Sequence, residues 1–300
     1  MWATIGVAFG FGLLCGLIGG NWMDGRDLLY ICPRCKQRGG KQTKRLDHCL
    51  VIDVKDMPRD EVTYVVTEDL GDKFAVTIRG DTKSPGRTNR MDRSPPSLVR
   101  VECNGKSKGL RLLVLDSITA QQIQVTESRG TSLELNTVRQ SRFGTINIHR
   151  ARCNNDEPVM LLSGGGDSTN NCAFGFTEIS ACDAKTYLRL QGATKTNACR
   201  INRFDQIMLH CPWESMSRDI YADWYRQRQR SFLELRTAVD NDFGLINCRL
   251  DEIEVPESIA IDADERSVAN VVEHLRTMSG KRIYRSREFV RGDGVTILPQ

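Results

Sequence analysis

Between residues 50 and 210 the apolar residues of this chain recur at every second position, in a dozen short segments. A period of two puts successive side chains on opposite faces of an extended backbone, so this stretch is built to fold as strands. The segments are CLVIDVK (49–55), EVTYVVTE (61–68), KFAVTIRG (73–80), SLVRVECN (97–104), LRLLVLDS (110–117) and QIQVTES (122–128). They continue with SLELNTV (132–138), GTINIHR (144–150), PVMLL (158–162), CAFGFTEI (172–179), TYLRLQG (186–192) and DQIMLHC (205–211). All are rich in Val, Ile, Thr and Phe and are separated by Gly, Asp, Asn and Ser, the chemistry of turns. Strands that follow one another without intervening helices lead us to expect an antiparallel sandwich or barrel, with a trefoil-like barrel as a variant.

Beyond Pro212 the pattern changes. In ESMSRDIYADWYRQRQRSFLELRTAVDN (214–241), Ile220, Trp224, Phe232, Leu235 and Val239 fall near one helical face. In DADERSVANVVEHLRTMSGKR (262–282), Val268, Val271, Val272 and Leu275 make a stripe, acids crowd the start, and Gly280 follows as a stop. The expected organisation is therefore a β-rich domain over 51–212 and a helical segment over 213–300 that ends in a hairpin.

The first 23 residues contain no charged side chain. As a helix they would rise about 34 Å, enough to cross a hydrocarbon core of about 30 Å. Trp2 and Trp22 lie near the two ends, where aromatic belts form. A cleaved signal peptide and a buried core helix are the competing readings. Ala8, Gly12, Gly16 and Gly20 recur every four residues. Small residues in one register let helices pack closely in lipid, so the span is expected to meet a partner helix or its own copy.

Residues 24–50 form a basic juxtamembrane segment, with seven basic and three acidic side chains between Asp24 and Leu50. That excess equals the net charge of +4 of the whole chain, so the remainder balances to zero. A balanced body argues against nucleic acid as a partner. Basic residues after the span and none before it place the body on the cytoplasmic side; an oxidised ectodomain is the alternative that 11 cysteines leave open. Cys32 and Cys35, with two residues between them, could share a Zn²⁺ ion, with His48 or Cys49 completing the site a dozen residues on.

A last motif is PVMLLSGGGDSTNN (158–171). Its core, Ser163, Gly164, Gly165, Gly166, Asp167 and Ser168, resembles the Ser-Gly-Gly-x-Asp-Ser loop of the N-type ATP pyrophosphatase family. The resemblance implies ATP phosphates held by backbone N–H groups and hydroxyls at the start of a helix, within an α/β fold. The residues that follow, TNNCAFGFTEIS, alternate like a strand, and read alone they make the glycines a hairpin turn joining 158–162 to 172–179. Four histidines (His48, His149, His210 and His274) are scattered along the chain, and H-E-x-x-H is absent.

Taken together, these features lead us to expect a single-pass, non-enzymatic scaffold or interaction subunit of a membrane assembly, meeting the lipid bilayer, a helix partner or second copy, and protein partners of its β-rich body. A membrane-tethered ATP-using enzyme built on 163–168, and a zinc-dependent interaction module at 32–49, are the alternatives.

Overall fold

The computed structural model describes residues 42–56, 60–80, 98–154, 156–164, 169–210, 231–250, 259–279, 282–284 and 290–299. Its strands, in chain order, begin β1 (Gln42–Leu46), β2 (Leu50–Asp53), β3 (Val62–Val66), β4 (Phe74–Arg79), β5 (Val99–Glu102), β6 (Lys108–Asp116) and β7 (Thr119–Thr126). Next come β8 (Leu133–Arg139), β9 (Arg142–His149), β10 (Pro158–Ser163), β11 (Ala173–Ser180), β12 (Thr186–Gln191), β13 (Cys199–Arg200) and β14 (Arg203–His210). The remainder are β15 (Ser231–Arg236), β16 (Ala238–Val239), β17 (Asp242–Leu250), β18 (Ile259–Ala263), β19 (Asn270–Ser279), β20 (Arg282–Tyr284), β21 (Val290–Arg291) and β22 (Val295–Ile297).

Consecutive strands do not pair. One sheet runs β1-β3-β5-β7-β9-β11-β14-β17-β19, with β20 and β22 both on β19, and the other runs β2-β4-β6-β8-β10-β12-β15-β18-β21. β13 and β16 form a short third sheet. Among the described residues every pairing is parallel except that of β20 with β19. The chain thus winds as a solenoid, each coil laying one strand on each sheet. Register shows the climb: Thr119 sits opposite Arg142, then Ala173, Arg203, Asp242 and Val271.

The expectation of an antiparallel sandwich or barrel with a helical C-terminal part is overturned. Short apolar-alternating strands between polar turns look the same whether each turn reverses the chain onto its neighbour or passes it to the other sheet. The helix expected over 262–282 is instead β18 and β19. The part of the 214–241 helix that can be seen is β15 and β16, the rest lying outside the described residues. The misleading period of three has a structural cause. On the β7 side of the solenoid each strand turns inward at two positions three apart, with two outward residues between: Ala120 and Ile123, Phe143 and Ile146, Phe204 and Ile207, Phe243 and Ile246, Val272 and Leu275. Residues 143–146 show why such a kink is tolerated. A Cβ on Gly144 would stand 2.5 Å from the Gln121 carbonyl oxygen, so only glycine lets the coils approach there.

Parallel stacking brings like positions over like. Phe143, Phe174, Phe204 and Phe243 stack in a column with ring centroids 5.1, 4.3 and 5.3 Å apart. The corner that leads into β7, β9, β11, β14, β17 and β19 has a left-handed residue at one place on each coil: Ser117, Gln140, Asn171, Ile201, Asp240 and Ala269. The next residue turns inward, and on the later coils it is asparagine. Asn202 Nδ2 donates to Asn241 Oδ1 (3.0 Å), and Asn241 Nδ2 donates to Asn270 Oδ1 (2.9 Å). Asn270 Nδ2 closes the ladder on the carbonyls of Ala238 (2.9 Å) and Gly294 (3.2 Å). All three amides are buried, and each is satisfied by the coil beside it.

No disulfide joins the described cysteines, and all but Cys49 are buried. Burial pushes the thiols of Cys103, Cys172 and Cys248 up to about 12, so they serve as small apolar core residues.

Two stability measurements test these contacts. Ile201 is β-branched, 53% exposed and held at φ 55°, a conformation that costs an L-residue about 1–2 kcal/mol. Ile201→Asn is expected to raise stability in urea unfolding by about 1 kcal/mol. Asn241→Ala, which strands buried donors and acceptors on both neighbouring coils, is expected to lower it by about 2–4 kcal/mol.

Candidate functional site on the outer face of the second sheet

The outward row of the second sheet is a charge ladder set by strand register. Thr77, Arg111, Glu134, Leu161, Arg189, Glu234, Asp262 and Arg291 stand opposite one another on β4, β6, β8, β10, β12, β15, β18 and β21. Seven strand spacings of about 4.8 Å make this row about 34 Å long. In a parallel stack like charges facing each other at that spacing repel, so opposite charges on neighbouring strands are favoured.

Two clusters occupy the row. In the first, Glu134 Oε1 accepts from Arg111 Nη2 (3.1 Å) and Asn136 Nδ2 (3.0 Å). Arg111 Cζ and Lys108 Nζ lie 5.4 and 5.8 Å from the Phe74 ring centroid, within range of the ring's quadrupole. Lys108 Nζ also donates to Glu157 Oε1 (2.7 Å). Gly130 makes room for that pair, because a Cβ there would meet Glu157 Oε2 at 2.7 Å. A cavity of about 520 Å³ opens beside these residues, lined also by Cys49, Asp72, Lys73 and Thr77. Two cationic side chains at its wall keep donors that no described protein group takes up. Arg111 Nε is hidden from solvent without a hydrogen-bond partner, and among the described residues no carboxylate pairs with Lys73.

In the second cluster Glu234 is 5% exposed. It accepts from Arg189 Nε (2.7 Å) and Thr186 Oγ1 (2.8 Å). Arg236 Nη2 donates to Asp262 Oδ2 at 2.7 Å and lies 3.6 Å from Glu234. Burial works against the Arg236 charge, but the Asp262 hydrogen bond and the charges of Glu234, Asp262 and Asp264 outweigh it and hold the guanidinium above its ordinary value. Burial likewise raises Asp264, yet hydrogen bonds from Ser267 and from the Thr237, Ser267 and Arg266 backbones win and keep that carboxyl low.

The sites expected from sequence fare differently. Ala8, Gly12, Gly16, Gly20, Cys32 and Cys35 lie outside the described residues. His48 is exposed, with Nδ1 2.5 Å from Asp47 Oδ1, whereas Cys49 is half-buried and lines the cavity. Among the described residues no group of three or more His, Cys, Asp or Glu side chains could hold a metal; Cys32 and Cys35, half of the expected zinc site, lie outside them. Ser163 ends β10 and Gly164 follows it; Gly165, Asp167 and Ser168 lie outside the described residues. Thr169 donates to the Ser163 carbonyl from both its N–H (3.2 Å) and its Oγ1 (2.9 Å), which staples the loop shut at its base. Residues 173–180 are strand β11 rather than a helix, so the helix that the resemblance implies after the loop is not there and the ATP-using enzyme is overturned. Nor is the loop a hairpin, because β10 and β11 belong to different sheets.

The single-pass scaffold and its cytoplasmic body also find no support. Among the described residues no helix is long and apolar enough to cross a membrane; residues 1–23, where the span was expected, lie outside them.

No protein-family model matches the chain, and no curated protein does. Among solved structures, the chain is similar to the crystal structure of an alginate lyase from Paenibacillus sp. str. FPU-7, covering 84% of this chain and 99% of that one. Identity is 10% and the TM-score 0.32. A likeness that slight establishes neither a shared fold nor a shared activity.

Sequence reasoning missed Phe74, Lys108, Arg111 and Glu134 as a group. The available signal was the outward polar residue in each strand, which forms a row only once the strands are known to be parallel. Arg189→Ala, which leaves the Glu234 carboxylate short of its main partner, is expected to cost about 3 kcal/mol in urea unfolding. Arg79→Ala, in an exposed pair with Asp53, should change stability by less than about 1 kcal/mol.

Proposed function

We propose that the outer face of the second sheet binds an extended, carboxylate-bearing glycan chain, anchored in the cavity beside Phe74. The observation that carries this reading is Arg111 Nε, a donor hidden from solvent and left without a partner at the wall of an open cavity. A buried unpaired donor is costly, and a ligand carboxylate would satisfy it with a charge-assisted bond. Lys73 offers a second cation at the same place.

The remaining row suits a hydroxyl-rich chain. Its arginines donate and its carboxylates accept, so each sugar hydroxyl can find either partner. The mixed signs give no sustained positive field, which sets the face apart from the basic stripe a nucleic acid needs. A row of about 34 Å calls for a polymer rather than a single small molecule.

Calorimetric titration with a uronic-acid hexamer, a neutral glucan hexamer and single-stranded DNA tests the reading. The uronate is expected to bind with sub-millimolar affinity and the other two at least tenfold more weakly. Arg111→Ala should weaken uronate binding about tenfold or more, the loss of one charged hydrogen bond. No uronate binding at millimolar concentration, or binding that Arg111→Ala leaves unchanged, would contradict it.

A further inference from the structure

The opposite face of the solenoid gathers a different set of groups, independent of the glycan reading. Strand register puts His149, Ser180 and His210 side by side on β9, β11 and β14. They are drawn from three successive coils, about 4.8 Å apart. Two of the four histidines that looked scattered along the chain therefore flank one serine. His149 Nδ1 and Ser180 Oγ are 3.1 Å apart, within hydrogen-bond reach. On the other flank, His210 Nε2 is hidden from solvent and has no partner. Glu178 lies one outward position back on the same strand as Ser180. In the row through Glu178, the Asn147 and Asn247 Oδ1 atoms are also buried without partners.

We infer that Ser180, His149 and His210 form a serine-hydrolase site for carboxylic esters, with Ser180 as nucleophile, His149 as base and His210 as the donor to the developing oxyanion. Ser180 Oγ attacks the ester carbonyl carbon while its proton passes to His149 Nδ1. The carbonyl oxygen gains the electron pair and is met by the His210 Nε2–H. The tetrahedral intermediate collapses by breaking the bond to the alcohol oxygen, which leaves with the proton from His149. Water then repeats the sequence on the acyl-serine, its proton going to His149 and returning to Ser180 Oγ as the acid is released.

The surroundings suit the base role, which needs a neutral imidazole. His149 is held below its ordinary value of 6.5 first by burial and then by Arg150, against Glu178 and Glu127. His210 is lowered first by burial and also by Arg249, against Glu178. An unpartnered buried nitrogen is a cost without return in a purely structural row. It gains a partner when an oxyanion forms in front of it, where one such donor is worth about a hundredfold or more in rate.

The test uses the full chain and two readouts: hydrolysis of p-nitrophenyl acetate and covalent labelling by a fluorophosphonate, located by peptide mass spectrometry. One adduct, on Ser180, is expected, and it should vanish in Ser180→Ala. Its rate should fall about 100-fold in His149→Ala, with thermal unfolding confirming that each variant is folded. Labelling should rise with pH through one ionisation centred below 6.5, because only neutral His149 accepts the proton. His210→Leu should slow ester hydrolysis at least tenfold, and His210→Gln, which keeps a donor, should recover part of the loss. Absence of an adduct on Ser180 in folded protein, or hydrolysis equal in Ser180→Ala and the parent chain, would overturn the assignment.

Discussion

Parallel hydrogen bonding between successive coils is the constraint on which everything else in this structure depends. It places each residue about 4.8 Å from the residue at the same point of the next coil, so every column must tolerate its own repetition. Each column in the fold meets that demand in a chemically distinct way. Phenylalanines repeat because offset rings attract. Asparagines repeat because one amide is both donor and acceptor for the next. Like charges repel at that spacing, and the outer row of the second sheet sets Arg111 against Glu134 and Arg189 against Glu234. Glu234 and Asp262 do stand side by side, but Arg236 and Arg291 bracket them.

The same geometry builds sites from residues far apart in sequence. Arg111 and Glu134 are partners over 23 residues, and Arg189 and Glu234 over 45. His149, Ser180 and His210 come from three coils. A local motif search cannot find such sets, because their spacing is the length of a coil. Coil length varies where loops are inserted, while strand register does not. The glycine-rich motif, the most motif-like feature of the chain, by contrast joins strands of different sheets, and Thr169 donates to the Ser163 carbonyl across its base.

Much of the local structure was legible and little of the global structure was. The dozen strands read between residues 49 and 211 each overlap a strand of the solenoid, because alternation reports which side chains are buried. Their pairing was not legible. Alternation is blind to whether the next strand lies beside its predecessor or across the core from it, and residues that mark corners here, such as Asn171 and Asp240, also mark hairpins. The false helix over 262–282 has a local origin, since Val272 and Leu275 both point inward across a kinked strand and so mimic one helical face. Of the expected site residues only Cys49 lines the cavity; Lys108, Arg111 and Glu134 read individually as ordinary solvent-facing charges.

Disulfide trapping between coils tests the parallel stack most directly. Ala173 and Arg203 are exposed, 30 residues apart and paired in register on β11 and β14, within the Cα separation of about 4.4–6.8 Å that a disulfide needs. With cysteines placed at both positions, mild oxidation should join 173 to 203 in monomeric protein without loss of thermal stability. Trapping should fail when the second cysteine is moved to position 210, seven residues along the same strand. Efficient joining of 173 to 210 instead, the outcome of an antiparallel arrangement of the two strands, would contradict the solenoid.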